Sequence, residues 1–172
     1  MAFFDSGFTL TSMRPEEASR IANILVVVDD TAECDRALYF ATKMAARIGA
    51  GIILLALPGE LPFRDWLGVG ELIEDEETDR FRQALAVASE RVRRIASVNV
   101  RGLVRFGPRS EQVGKLVKEE RSISFLVLAA SSGTEGPGPL VSTLVGKNAG
   151  AFPVPIVIVP ETMTDDGIDS LV

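Results

Sequence analysis

Two aspartates and a loop of small residues are the features of this sequence best suited to binding a ligand. Asp29 and Asp30 directly follow the apolar run ILVVV, and the loop ASSGTEGPGP follows a second apolar run that ends at Leu128. In an open α/β sheet, the carboxyl ends of two such strands form the ligand crevice. A loop of small residues that leads into a helix N-terminus suits phosphate. The pattern predicts a nucleotide-shaped site, with serines and an alanine where glycines would be expected.

The composition of the chain excludes several classes of function. The 172 residues carry a net charge of −6 and no basic stripe, which argues against nucleic acid as a partner. There is no histidine, so nucleophile systems that depend on Ser-His or Cys-His pairs, and zinc sites built on histidine, are excluded. One cysteine cannot form an internal disulfide. Apolar runs are too short to span a bilayer and the first residues do not resemble a signal peptide, so we expect a cytoplasmic protein.

Alternating apolar runs and amphipathic segments predict an α/β fold. The predicted strands cover residues 23–28, 51–57, 98–106, 123–130 and 156–159. The predicted helices cover residues 31–48, 71–97, 110–120 and 143–151, with Ser110 capping the third and Gly49 closing the first. This alternation predicts a five-stranded, parallel, doubly wound sheet in the order 3-2-1-4-5, with helices on both faces.

The chain divides into three predicted segments. Residues 1–22 form an N-terminal arm, residues 23–160 form one domain, and residues 161–172 form a short acidic tail. Pro153 and Pro155 precede the last strand, which favours a position at the edge of the sheet. Because a bare apolar edge must be covered, we expect a homodimer formed through this strand.

The aspartate pair has several possible interpretations. A receiver domain holds Mg²⁺ with paired acids at this point, but it also needs an Asp after the third strand and a Lys near the end of the last. This chain has Phe106-Gly107 and Pro160-Glu161 there. A dinucleotide-binding domain needs G-x-G-x-x-G after the first strand, and DDTAEC does not match. A structural interpretation, in which the acids only cap the helix that follows, stays open.

Two stretches of the sequence resemble the two ends of a universal stress protein domain. They are ILVVVDDTAECDRALYFATKMAARIGAGIILLAL and SFLVLAASSGTEGPGPLVSTLVGKNAGAFPVPIVIVP. The resemblance covers residues 23–160 and depends on element order, spacing and the final Pro-x-Pro strand. It implies a five-stranded, usually dimeric α/β fold with a regulatory role in the stress response. Some members of this family bind ATP and others do not.

The ATP-binding members carry G-x2-G-x9-G-[ST] after the fourth strand, and two frames of this sequence match that motif in part. One frame keeps the glycines, at Gly133, Gly136 and Gly146, but is followed by Lys147. The other keeps the spacing and the threonine, at Ala129, Ser132, Ser142 and Thr143. We prefer the second frame, because it starts where the fourth strand ends and places the Ser-Thr pair at the N-terminus of the last helix.

The resemblance implies nucleotide-binding roles for seven residues. They are Asp29, Leu57, Leu128, Ala129, Ser132, Ser142 and Thr143. Asp29 matches the acid that contacts ribose, and Leu57 matches the position that lines the adenine. The Cβ atoms of Ala129 and Ser132 narrow the path of the phosphates, so we expect weak binding of ATP or another adenine nucleotide.

The expected function is that of a regulatory stress protein with a degenerate ATP crevice and no enzymatic activity. The alternative is a dimeric protein-interaction module that binds no nucleotide. A hydrolase is not supported, because no set of residues supplies both a nucleophile and a base. We expect no metal, no nucleic acid and no membrane among the partners, with a further protein partner possible.

Two other residues each have a structural and a functional interpretation. Cys34 lies in the first turn of a helix, where the helix dipole favours a thiolate, although free cysteines are more often inert buried residues. Trp66 lies in the loop between the second strand and the second helix. It belongs either to a lid or partner surface, or to a cluster that packs over the edge of the sheet.

Overall fold

The structure is a computed structural model, and it describes residues 22–29, 31–59, 69–146 and 149–172. The predictions made for the N-terminal arm, Asp30, Trp66 and Lys147 therefore lie outside the described residues.

Strands and helices alternate along the described chain. The strands are β1 (Asn23–Val28), β2 (Gly51–Gly59), β3 (Val100–Phe106), β4 (Ile123–Ala130) and β5 (Ile156–Pro160). The helices are α1 (Ala32–Ile48), α2 (Val69–Ile95), α3 (Arg109–Glu119), α4 (Pro139–Val145) and α5 (Asp165–Asp169), and a 3₁₀ turn covers Ala149–Ala151. The strands pair in parallel in the order β3-β2-β1-β4-β5, so the predicted fold class and strand order are confirmed.

The central strands are buried on both faces because successive side chains of a strand point to opposite sides of the sheet. Ile24 and Val26 of β1 face a core that includes residues of α1 and α2. Leu25 of β1 faces a second core that includes residues of α3 and α4. The run ILVVV is therefore continuously apolar, as in other doubly covered parallel sheets.

The turn between α1 and β2 follows the sequence prediction closely. Gly49 ends α1 with φ 70°, a left-handed conformation that glycine adopts without steric cost. Its N–H donates to the carbonyl oxygen of Ala45, and so does the N–H of Ala50 at 2.9 Å. These bonds close the helix and direct the chain back into the sheet, where Gly51 pairs with Asn23.

Two helix starts differ from the prediction. Ser110 does not cap α3, because the helix begins at Arg109 and Pro108 occupies the N-cap position. The last α-helix before β5 begins at Pro139 rather than at Thr143, and it ends at Val145 rather than at residue 151. Proline at the first helical position has the φ value that a helix needs, and its missing N–H is not required there. The proline therefore starts α4 earlier than the motif spacing suggested.

The C-terminal segment packs against α1 through α5. Ile168 is fully buried in the core on the side of α1 and α2. Asp169 accepts a hydrogen bond from the Tyr39 hydroxyl at 3.1 Å and forms an ion pair with Lys43 at 3.0 Å. Arg36 forms a further ion pair with Asp165. Asp165 and Asp169 of this segment are thus paired with basic residues of α1.

We predict that Ile168→Ala lowers the free energy of unfolding by about 2–5 kcal/mol, because it leaves a cavity in the core. Urea denaturation of the full chain measures this change. Leu171→Ala is the matched control, since Leu171 lies in the same segment but is 66% exposed. Equal stability of the two variants would show that the docking of α5 adds nothing to the fold.

Candidate functional site

A crevice of about 190 Å³ opens at the carboxyl ends of β1 and β4. This is the topological switch point of the sheet. The chain continues from β1 to β2 on one side of β1, and β4 pairs with β1 on its other side. The walls come from the ends of β1, β2 and β4, the starts of α1 and α3, and the loop before α4. The lining residues are Val27, Val28, Asp29, Thr31, Glu33, Leu57, Arg109, Leu128, Ala129 and residues 137–141.

Asp29 lies at the mouth of this crevice, directly after β1. Its Oδ1 atom accepts a hydrogen bond from the backbone N–H of Thr31 at 3.2 Å and one from the Thr31 hydroxyl at 2.5 Å. These bonds form an Asx-type turn that leads into α1. The structural interpretation of the aspartate therefore holds for Oδ1. Oδ2 has no hydrogen-bond partner among the described residues, which leaves one carboxylate oxygen available to a ligand.

The apolar part of the crevice comes from the ends of two strands on either side of β1. Leu57 of β2 and Leu128 of β4 are both buried, and Ala129 is half-buried. Pairing of β1 with both strands in parallel brings these side chains to the same edge of the sheet as Asp29. The structure thus brings together four of the seven predicted residues. They place one carboxylate beside apolar side chains, which suits a ligand with a planar apolar ring and a hydrogen-bond donor.

Ser142 and Thr143 lie in the middle of α4 and are not among the residues that line the crevice. The Ser142 hydroxyl donates to the carbonyl oxygen of Gly138 at 2.9 Å, and the Thr143 hydroxyl donates to that of Pro139 at 2.8 Å. The backbone N–H of Ser142 also donates to Gly138, at 3.0 Å. The expectation that this pair opens the last helix is therefore wrong. Its hydroxyl groups are occupied by the preceding turn of the same helix.

Ser132 is held by the end of β5 rather than by the crevice. Its hydroxyl donates a hydrogen bond to the Glu161 carboxylate, and the backbone N–H of Glu161 donates to the carbonyl oxygen of Ala130 at 3.0 Å. The hydrogen bond from Ser132 lowers the pKa of the Glu161 carboxyl group below its usual range. Glu161, the residue after β5, is therefore linked by a side-chain hydrogen bond to the loop that follows β4.

Sequence reasoning missed two residues of the crevice. Arg109, the first residue of α3, lines it and forms no ion pair with the described residues. Glu33 of α1 also lines it, whereas the loop that the sequence analysis had proposed contributes residues 137–139. One signal for Arg109 was available, because the Gly107-Pro108 turn ends β3 at the same edge of the sheet as Asp29.

Cys34 has the structural role expected of a buried free cysteine. Its thiol contacts the carbonyl oxygen of Val27 at 3.7 Å, and burial raises the pKa of the thiol to about 11. Cys34 is therefore protonated at neutral pH and is a poor nucleophile. Within the described ranges, no cluster of three or more His, Cys, Asp or Glu residues could hold a metal ion. The helices in this part of the chain also include none that is long and apolar enough to cross a membrane.

Comparison with known proteins supports the same family by sequence and by structure. Residues 21–160 match the profile of the Universal stress protein family. The universal stress protein UspA from Lactobacillus plantarum superposes with a TM-score of 0.68 at 20% identity, over 82% of this chain and 99% of its own. A search of curated proteins returned no significant match.

Two further solved structures with the same fold contain a nucleotide. A universal stress protein family protein from Arabidopsis thaliana with AMP bound has a TM-score of 0.55 at 13% identity, over 81% of this chain and 91% of its own. The universal stress protein from Archaeoglobus fulgidus in complex with dAMP has a TM-score of 0.55 at 18% identity, over 81% and 98% of the two chains. At these identities, the similarity of the solved structures establishes the fold alone. The family is established by the sequence profile, which matches residues 21–160. This chain therefore belongs to the universal stress protein family.

Proposed function

We propose that this protein is a regulatory, non-enzymatic member of the family whose crevice binds the adenosine part of an adenine nucleotide. The observation that carries the proposal is the convergence of Asp29, Leu57 and Leu128 on one crevice at the switch point of the sheet. The AMP and dAMP bound to proteins of the same fold support it. The protein would respond to the level of such a ligand rather than convert it.

The chemistry of the walls suits the two parts of adenosine. Leu57 and Leu128 present buried apolar surface at the ends of β2 and β4, against which a planar base can pack. Asp29 keeps Oδ2 free while Thr31 holds Oδ1, so the carboxylate is oriented before a ligand arrives. A ribose hydroxyl that donates to Oδ2 would form a charge-assisted hydrogen bond, which is typically worth about 1.5–3 kcal/mol.

The described residues give little support to catalysis at this site. The chain has no histidine, and the one cysteine is a buried, protonated thiol. The pairing of Ser132 with Glu161 resembles a nucleophile beside a base, but the lowered pKa of the carboxyl group makes it a weaker base. Binding is therefore the function that the geometry favours.

We predict that Asp29→Ala weakens binding of AMP by about tenfold, which corresponds to about 1.4 kcal/mol for the lost hydrogen bond. Isothermal titration calorimetry of the full chain measures the affinity. Asp166→Ala is the control, since it removes the same charge from an exposed position on α5 that does not line the crevice. Circular dichroism checks that the loss of the Thr31 turn has not unfolded α1. If the two variants bind AMP with equal affinity, Asp29 does not contribute to the binding site.

We also propose that a second copy of the chain covers the β5 edge of the sheet. Val145, Phe152, Val154, Ile156 and Ile158 border one shallow apolar surface beside this strand. Val145 and Ile158 are 38% and 37% exposed although they are large and apolar. An edge strand also presents backbone groups that lack partners, which natural proteins usually cover. A two-fold contact would place this patch against its own copy.

We predict that Ile158→Lys converts a dimer into a monomer, because it puts a charge into the centre of an apolar contact. Multi-angle light scattering at micromolar concentration measures the mass. Val87→Lys is the control, since Val87 is 72% exposed on α2 and away from β5. A monomeric parent chain would contradict this proposal. If the chain is a dimer but binds no adenine compound, its function is better explained as a protein-interaction module.

A further inference from the structure

We propose that residues 1–21 of the N-terminal arm bind back into a groove between α1 and α2 and cover it with their apolar side chains. This groove lies on the opposite face of the sheet from the candidate crevice, next to the other of the two cores. The inference is independent of the proposed function, because no nucleotide takes part in it. It rests on the shape of the groove, on a hydrogen-bond donor at its end, and on the composition and reach of the arm.

The groove between α1 and α2 is formed by one stripe of side chains from each helix. Positions 84, 87, 88 and 91 of α2 line it, and so do Cys34 and Leu38 of α1. Within each helix these positions are three or four residues apart, so they lie on one face. The groove has a volume of about 300 Å³ and ends against Val28 of β1. Two neighbouring helices with such stripes form the type of groove in which a peptide segment binds through apolar side chains.

The floor of this groove is apolar, and the described residues leave its edge exposed. Leu38 and Ala88 are buried beneath it, whereas Val87 at the edge is 72% exposed. A single exposed valine on a helix would be ordinary. Here, however, the exposed valine continues a stripe of buried apolar residues, and an apolar surface of this kind marks a place where another segment packs.

Arg91 leaves an unsatisfied hydrogen-bond donor at one end of the groove. Its Nη2 atom donates to the Asp35 carboxylate at 2.5 Å and so joins α2 to α1. Its Nε atom is buried and has no partner among the described residues. Buried donors in proteins are nearly always paired, so an acceptor is expected here. A backbone carbonyl oxygen of a chain segment in the groove supplies that acceptor after a small rotation of the guanidinium group.

The first residues of the chain have the composition of a segment that packs on an apolar surface. Asp5 is the only charged side chain within residues 1–13. The large apolar side chains of the same stretch are Phe3, Phe4, Phe8, Leu10 and Met13. Ordering such a segment costs conformational entropy, and burial of apolar side chains is the main term that can offset this cost. The arm therefore needs an apolar surface of the type that the groove offers.

The arm is long enough to reach the groove from the point where it joins the sheet. It enters β1 at Asn23, at the amino end of the strand, whereas the groove lies beside Val28 at the carboxyl end. The six residues of β1 span about 20 Å. The chain from Phe8 to Ala22 can extend over about 45 Å. This reach covers the length of the strand and also the width of one helix, which is about 10 Å.

The reactivity of an introduced thiol tests whether the groove is covered. In the full chain with Cys34→Ala, Val87→Cys places a thiol at the edge of the groove. Ala86→Cys is the matched control, since it places a thiol on the same helix at an exposed position that does not line the groove. We expect iodoacetamide to modify the thiol at position 87 at least about tenfold more slowly than the thiol at position 86, because the arm covers it. Mass spectrometry measures both rates.

A change in the arm alone tests which segment provides the cover. Phe3→Ser, Phe4→Ser and Phe8→Ser together remove the aromatic side chains and leave the described domain intact, which circular dichroism checks. We expect this change to raise the rate at position 87 by about tenfold and to leave the rate at position 86 unchanged.

Nuclear Overhauser spectra of the chain with its natural cysteine, valine and phenylalanines show the contact directly. The methyl protons of Val87 and Leu38 should give cross-peaks to aromatic ring protons. These cross-peaks should disappear when the three phenylalanines of the arm are replaced by serine.

Three results would overturn the proposal. Equal rates at positions 86 and 87 with the natural arm would show that the groove is open. Slow modification at position 87 that persists in the serine variant would assign the cover to another segment, such as residues 60–68. Protection that grows with protein concentration would assign it to the arm of a second copy. Nucleotide affinity enters none of these measurements, so this inference and the proposed function can fail separately.

Discussion

Burial of the central strands on both faces of the sheet is the constraint on which this molecule depends. Ile24, Leu25 and Val26 of β1 are completely buried, each against one of two cores. A strand in this position can carry a polar residue only where it leaves the sheet, because an unpaired buried carboxylate would be strongly destabilising. Asp29 stands at that point. The packing of the cores therefore decides both where the crevice opens and which end of the sheet can carry its polar groups.

The same edge of the sheet is modified by the two segments that follow β4 and β5. Pro139 starts α4 early, so the hydroxyls of Ser142 and Thr143 donate to carbonyl oxygens of the preceding turn. Glu161 follows β5 and accepts a hydrogen bond from Ser132. The charged residues that line the crevice are Asp29, Glu33 and Arg109. The chain thus keeps the fold of its family, while the hydroxyls of Ser132, Ser142 and Thr143 are occupied by internal hydrogen bonds.

The sequence contained enough information for the fold and for the strand-borne half of the site. Continuous apolar runs and their alternation with helices predicted the strand order, and Asp29, Leu57 and Leu128 lie where strand ends converge. The loop-borne half could not be predicted in the same way. The start of α4 depended on Pro139, whose helix-starting preference competed with motif spacing. The contact of Ser132 with Glu161 depends on the pairing of β4 with β5, which joins residues far apart in the chain.

The most direct test of the account is methyl NMR of the full chain during titration with adenosine. Adenosine carries no phosphate, so it reports on the crevice alone. The account predicts that the methyl resonances of Leu57 and Leu128 shift and saturate together, because both line the crevice. Those of Ile158 at the β5 edge and Ile168 beneath α5 should stay unchanged. Shifts confined to Ile158 or Ile168, or no shifts at all, would contradict the central claim that this crevice is the ligand site.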